Sequence, residues 1–299
     1  MTTRTASKNA ETMKRVSHAL PGILAVSLAL TILPGCGRKA AGEPEQSAQT
    51  ESKAEAAKET PAQPESKAET AKPEAAKGSR ELEAGYAAMD AKDYATAVEH
   101  FTRSADEGNA DAMLMLYVCY CEELGVKRQE KRMGDKYLKP AAETGNGIAM
   151  AFYASYIMVE EHDEARGLEM LEQLADNGCA YAQYLLVILY QKARQYKKTG
   201  KYLQNLAELP LTDEKCVLDH IPGAIDNKRM FDEKAMIDLK VPTVMNKIIV
   251  SSQAMLGALY ADGADGIEPD REKAKQWLKT AGENGYAQAD QVIKQLRLE

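Results

Sequence analysis

The chain has 299 residues, 38 of them Lys or Arg and 45 Asp or Glu, for a net charge of −7. Residues 1–36 carry +3 and residues 37–80 balance eight basic against eight acidic side chains, so the remaining segment, 81–299, holds −10. A domain that acidic repels phosphate instead of releasing counterions from it, which excludes nucleic acid as a partner.

The chain opens with a targeting segment. Between Met13 and Lys39 a basic start (Lys14, Arg15) precedes an apolar run, Gly22 to Leu33, and then small residues before Cys36. That run has twelve residues, whereas a membrane-spanning helix needs about 20, so 1–35 reads as a secretory signal with Met13 as the natural initiator. Leu33-Pro34-Gly35-Cys36 resembles the bacterial lipobox, with Pro34 as its one departure. The resemblance implies cleavage behind Gly35, acylation of Cys36 and a lipid-anchored envelope protein. Gly37 in place of an aspartate implies outer-membrane placement facing the periplasm. A plain signal peptide that contains Cys36 is the alternative.

From Cys36 to Arg80 the chain is rich in Ala, Glu, Lys and Pro, and residues 37–80 contain no Val, Ile, Leu, Met or aromatic side chain. Such a segment cannot build a core and is expected to be a disordered linker. Pro44, Pro61, Pro64 and Pro73 interrupt any long helix. As a flexible coil it spans about 35–40 Å.

The rest, 81–299, is organised by one phrase written four times: SADEGNADA from Ser104, AAETGNGIA from Ala141, LADNGCAYA from Leu174 and AGENGYAQA from Ala281. The first three glycines, Gly108, Gly145 and Gly178, lie 37 and 33 residues apart, a period that marks stacked helical repeats. Gly85 to Gly108 predicts an opening helix pair. Met113 to Gly145 predicts a second pair, with Tyr137 at an aromatic position. Phe152 to Gly178 turns directly between helices at VEEHDEA. In Tyr184 to Leu209, QKARQYKKTGKYLQNLAE is the expected second helix. From 211 to 250 the pattern fails, and this stretch is either an insertion or a degenerate sixth unit.

The final copy, Ala254 to Ala289, is the clearest. Ala274, Trp277, Leu278 and Ala281 recur at helical spacing, Asp270 is placed to cap the helix and Gly285 to close it. Leu256, Gly257, Tyr260, Gly263, Gly266, Ile267, Lys273 and those residues resemble the Sel-one-like repeat (SLR), a relative of the tetratricopeptide repeat (TPR). The opening pair resembles the TPR itself through Asp93-Tyr94 and Ala97. The resemblance implies an all-α, right-handed α-solenoid of about five stacked antiparallel helix pairs after the disordered tether. It also implies a protein or peptide partner in the inner curve, which first helices line.

The chemistry-bearing residues are sparse. His100, His162 and His220 stand apart from one another, and no P-loop, G-x-S-x-G or G-x-G-x-x-G is present. No catalytic, metal or cofactor site is expected. Cys119, Cys121, Cys179 and Cys216 read as packed thiols, with a bridge from Cys179 or Cys216 to the Cys119 region as the alternative. KRQEKR (Lys127, Arg128, Lys131, Arg132) and Lys192–Lys201 are basic clusters on an acidic background. Tyr117, Tyr120, Tyr153, Tyr156, Tyr184 and Tyr190 fall on first helices. Tyr117, Tyr153, Lys127, Arg128, Lys131 and Arg132 are therefore the candidate partner-binding residues, and Cys36 the lipid anchor. The expected function is an envelope scaffold or adaptor without catalysis of its own. The alternative is a cell-wall-active or drug-hydrolysing envelope enzyme of the exported SLR type.

Overall fold

The repeated phrase is a stop-and-start signal for helices. A computed structural model describes residues 79–127, 134–222 and 239–299. There the first copy ends one helix at Asp106 and begins the next at Ala110. Gly108 sits at φ +88°, a left-handed conformation that costs a residue bearing a side chain about 1–2 kcal/mol. Its N–H donates to the Ala105 carbonyl at 2.9 Å, and the Asn109 N–H donates to Ser104 at 3.2 Å. Two carbonyls orphaned by the helix end are thereby satisfied. The Asn109 side chain then accepts the Ala112 N–H at 2.9 Å and caps the next helix. Gly178 with Cys179, and Gly285 with Tyr286, make the same paired bonds. In the second copy the Thr144 hydroxyl donates to the Ala141 carbonyl instead, at 2.7 Å. The closing alanines, Ala112, Ala149, Ala182 and Ala289, are all buried, which is why the phrase ends small.

Eleven α-helices result among the described residues. They are α1 (Ser79–Asp90), α2 (Tyr94–Asp106), α3 (Ala110–Cys121), α4 (Asp135–Glu143), α5 (Gly147–Val159) and α6 (Glu164–Asp176), followed by α7 (Ala180–Lys192), α8 (Tyr196–Ala207), α9 (Val244–Asp262), α10 (Arg271–Glu283) and α11 (Ala289–Gln295). They pack as five consecutive pairs, α1/α2 through α9/α10, with α11 against α10. The signal segment, Cys36 and the linker up to residue 78 lie outside the described residues, and α1 opens at Ser79, two residues ahead of the expected boundary.

Within a pair the turn uses a different device. Lys92, His162 and Arg194 have φ of 60°, 56° and 58°, and Asp93 and Asp163 follow the first two as caps, accepting the N–H of Thr96 and Arg166. Arg194 breaks the expected second helix of the fourth pair, so Gln191 and Lys192 end α7 and α8 starts at Tyr196. Arg194 is exposed, and Arg194→Gly relieves its backbone at no packing cost. The gain is expected to be about 0.5–1 kcal/mol, or roughly 2–4 °C in Tm. A lower Tm by differential scanning calorimetry would show that the arginine side chain outweighs the strain.

The array does not break where the phrase fails. Helix α9 packs on α8, and Gln253 Nε2 of α9 donates to the Ala207 carbonyl at 3.0 Å. Regular structure resumes at Val244, with Thr243 accepting the Asn246 N–H as cap.

Candidate functional site

First helices face one another: α3 packs on α5 and α5 on α7, in addition to each helix's contact with its chain neighbours. That closer spacing puts them on the inner side of the curve. Their aromatic rings form a ladder across three pairs. Tyr117 of α3 meets Phe152 of α5 edge-on at 6.5 Å, Phe152 stacks on Tyr181 of α7 at 5.5 Å, and Tyr181 on Tyr184 at 6.0 Å.

The ladder decides where the expected tyrosines stand. Tyr117 is 3% exposed, so its ring belongs to the core and offers almost no surface. Tyr120, Tyr184 and Tyr190 are buried as well. Tyr153 and Tyr156 are half-buried and stacked on each other at 6.2 Å, which makes them the aromatic pair still open to a partner. Lys127 is exposed, between α3 and α4. Arg128, Lys131 and Arg132 lie outside the described residues, as does Cys36.

A strap that periodicity did not reveal lies on the same side. Residues 209–222 contain no α-helix, only a single tight turn, Val217–His220. Val217, Leu218 and Ile221 are nonetheless buried. At one end His220 stacks on Tyr86 of α1, with centroids 3.9 Å apart and planes 11° apart, and its Nδ1 lies 3.2 Å from Asp90. Beside it Asp219 accepts the Val244 N–H of α9 at 2.7 Å. The Thr212 N–H donates to Asn246, whose Nδ2 donates back to the Thr212 carbonyl, both at 2.9 Å. The strap thus joins the first helix of the first pair to the first helix of the last.

Two lysines of the second basic cluster are paired across helices. Lys198 pairs with Glu172 at 3.0 Å and Lys201 with Asp176 at 2.8 Å, fastening α8 to α6. Beside them a cleft of about 840 Å³ opens between α8, α9, the 263–269 loop and α10, lined by Lys197, Lys201, Tyr260, Ile267 and Trp277 among others.

Burial holds thiols and phenols in their protonated forms. All four cysteines described are free thiols. Burial pushes Cys119 up to about 12, whereas a reactive thiol needs a lowered value. Cys216 faces the Asp219 carboxylate at 3.7 Å and is raised, chiefly by burial. Among the described residues no group of three or more His, Cys, Asp or Glu side chains is placed to hold a metal.

Burial likewise raises the phenols of Tyr86 and Tyr181, and it raises Tyr190 to about 12 with Glu172 adding to the shift. The fold therefore keeps protons that the unfolded chain gives up near pH 9–10, and stability must fall as pH rises. Urea midpoints are expected to be level below about pH 9 and to drop steadily from about pH 9 to 12. A level midpoint through that window would contradict the burial of these groups.

The Sel1 repeat family model matches residues 83–109, 148–179 and 250–286, which are the first, third and fifth helix pairs. The opening pair, expected to be TPR-like, thus matches the Sel1 pattern directly. Among solved structures, a protective antigen of uropathogenic Escherichia coli displaying an SLR fold, c5321, is similar at 21% identity and a TM-score of 0.43, over 71% of this chain and 39% of that one. This chain spans well under half the length of that protein. A Sel1 repeat protein from Oxalobacter formigenes is similar at 23% identity and a TM-score of 0.47, over 73% of this chain and 78% of that one. No curated protein matches the sequence.

Proposed function

Because the chain carries Sel1 repeats in three of its five helix pairs, we propose that it is a protein-binding scaffold of the bacterial envelope, anchored by lipid on Cys36 and facing the periplasm. The observation that carries the scaffold reading is the continuity of the array: α8 and α9 pack across the irregular stretch, so five pairs form one extended surface. The half-buried Tyr153–Tyr156 pair on a first helix, with the basic sequence Lys127–Arg132, is the surface assigned to a protein partner. The anchor rests on the signal-like Met13–Lys39 segment and its lipobox-like ending.

In-cell crosslinking of the tagged full chain, followed by mass spectrometry, tests the scaffold. A specific partner is expected that is lost on charge reversal at Lys127, Arg128, Lys131 and Arg132 combined with Tyr153→Ala. Tyr117 stays unmutated, because its ring supports the core. No enrichment over an unrelated envelope lipoprotein would refute the scaffold. Cys36→Ser is expected to move the protein from the membrane to the soluble fraction, and unchanged membrane retention would refute the lipid anchor.

A further inference from the structure

The inner face already holds a peptide, wound into one tight turn at Val217–His220, and that peptide is the chain's own strap. Its register is defined by three kinds of contact. An imidazole, His220, lies flat on Tyr86 and against the Asp90 carboxylate, with Lys215 3.9 Å from the same carboxylate. An acid, Asp219, meets the N-terminus of α9 at the Val244 N–H, where backbone donors and the helix dipole favour negative charge. Between Lys215 and that pair, the aliphatic Val217 and Leu218 are 2% and 0% exposed.

The fit is incomplete in one respect. Tyr86 is 7% exposed and its hydroxyl has no hydrogen-bond partner. The strap covers the ring of Tyr86 with His220 and leaves the O–H desolvated and unsatisfied, a standing cost to the closed arrangement. A peptide that made the same contacts and also offered an oxygen to Tyr86 would bind better than the strap does.

We propose that residues 211–221 are a built-in ligand, and that the solenoid's protein partner presents a short segment of the same chemistry that takes up the same turn. That segment carries two aliphatic residues followed by an acid and a basic or imidazole side chain, and it displaces the strap from the inner face. This rests on the scaffold reading above and adds the site, the class of segment and the competitor.

The test uses the full chain and a fluorescent peptide of residues 211–222. One protein is unaltered and one carries Val217→Ser, Leu218→Ser and His220→Ser, which weaken the strap but leave α1, α7 and α9 intact. The altered protein is expected to bind the peptide at least tenfold more tightly than the unaltered protein, by fluorescence anisotropy. Adding Asp90→Ala and Val244→Pro, which remove the His220 acceptor and the Asp219 donor, is expected to abolish that gain. Should the triple variant lose its cooperative unfolding transition, the milder Asp219→Asn with His220→Ala, which keeps both aliphatic residues, is measured instead against the same tenfold criterion. A folded variant that binds the peptide no better than the unaltered chain overturns the proposal and makes the strap a fixed part of the core. That result leaves the scaffold reading standing if crosslinking still recovers a partner. Failure of both experiments removes the scaffold as well.

Discussion

Phe152→Ala is expected to remove about 3–5 kcal/mol of stability, the range for a buried aromatic replaced by alanine. Phe152 is 2% exposed and is the middle ring of the ladder, touching Tyr117 of the preceding pair and Tyr181 of the following one. Its loss leaves a cavity and uncouples three repeats in one step. Repeat arrays hold together through nearest-neighbour interfaces, so urea unfolding followed by far-UV circular dichroism is expected to lose its single transition as well as its midpoint. A variant that retains one transition and loses less than about 1 kcal/mol would mean that the ladder contributes little to coupling the pairs.

Gly257→Val acts by the opposite mechanism and is expected to cost about 3 kcal/mol, the upper end of ordinary overpacking. A Cβ at Gly257 would stand 2.7 Å from Leu278 Cγ and 3.1 Å from the Ala274 carbonyl. The leucine can move and the backbone cannot. Gly257→Val with Leu278→Ala should therefore recover part of the loss relative to the sum of the single changes, while the carbonyl contact keeps the pair destabilised. Simple additivity of the two changes in a double-mutant cycle would place the conflict elsewhere.

The repeat phrase was legible because its meaning is local. Gly108 and Asn109 do their work within five residues of themselves, so a left-handed stop and a side-chain cap leave a fixed spelling. Asp270 accepts the Lys273 N–H at 3.0 Å and Gly285 takes φ +110°, as their positions in the sequence imply. Helix α9 was half hidden for the converse reason. Its residues from Ile248 to Ala258 are buried on every side, and a helix that is apolar all round shows no stripe to read.

The strap left no periodic trace at all. Val217, Leu218 and Ile221 belong to no helical phase, and His220 meets a residue 130 positions earlier in the chain. The tyrosines fall between these cases. Helical spacing places Tyr117 and Tyr153 on first helices, but it does not say which of them the neighbouring pair's rings cover.

The clasp between His220 and Asp90 also changes how load travels through the molecule. A solenoid without it would peel open pair by pair when pulled from its N-terminus, each pair releasing alone. Here tension on α1 is shared through Asp90 and His220 with the turn that Asp219 fixes to α9. The first and last pairs are thus mechanically in parallel, and the force that opens one must also break the other's hold.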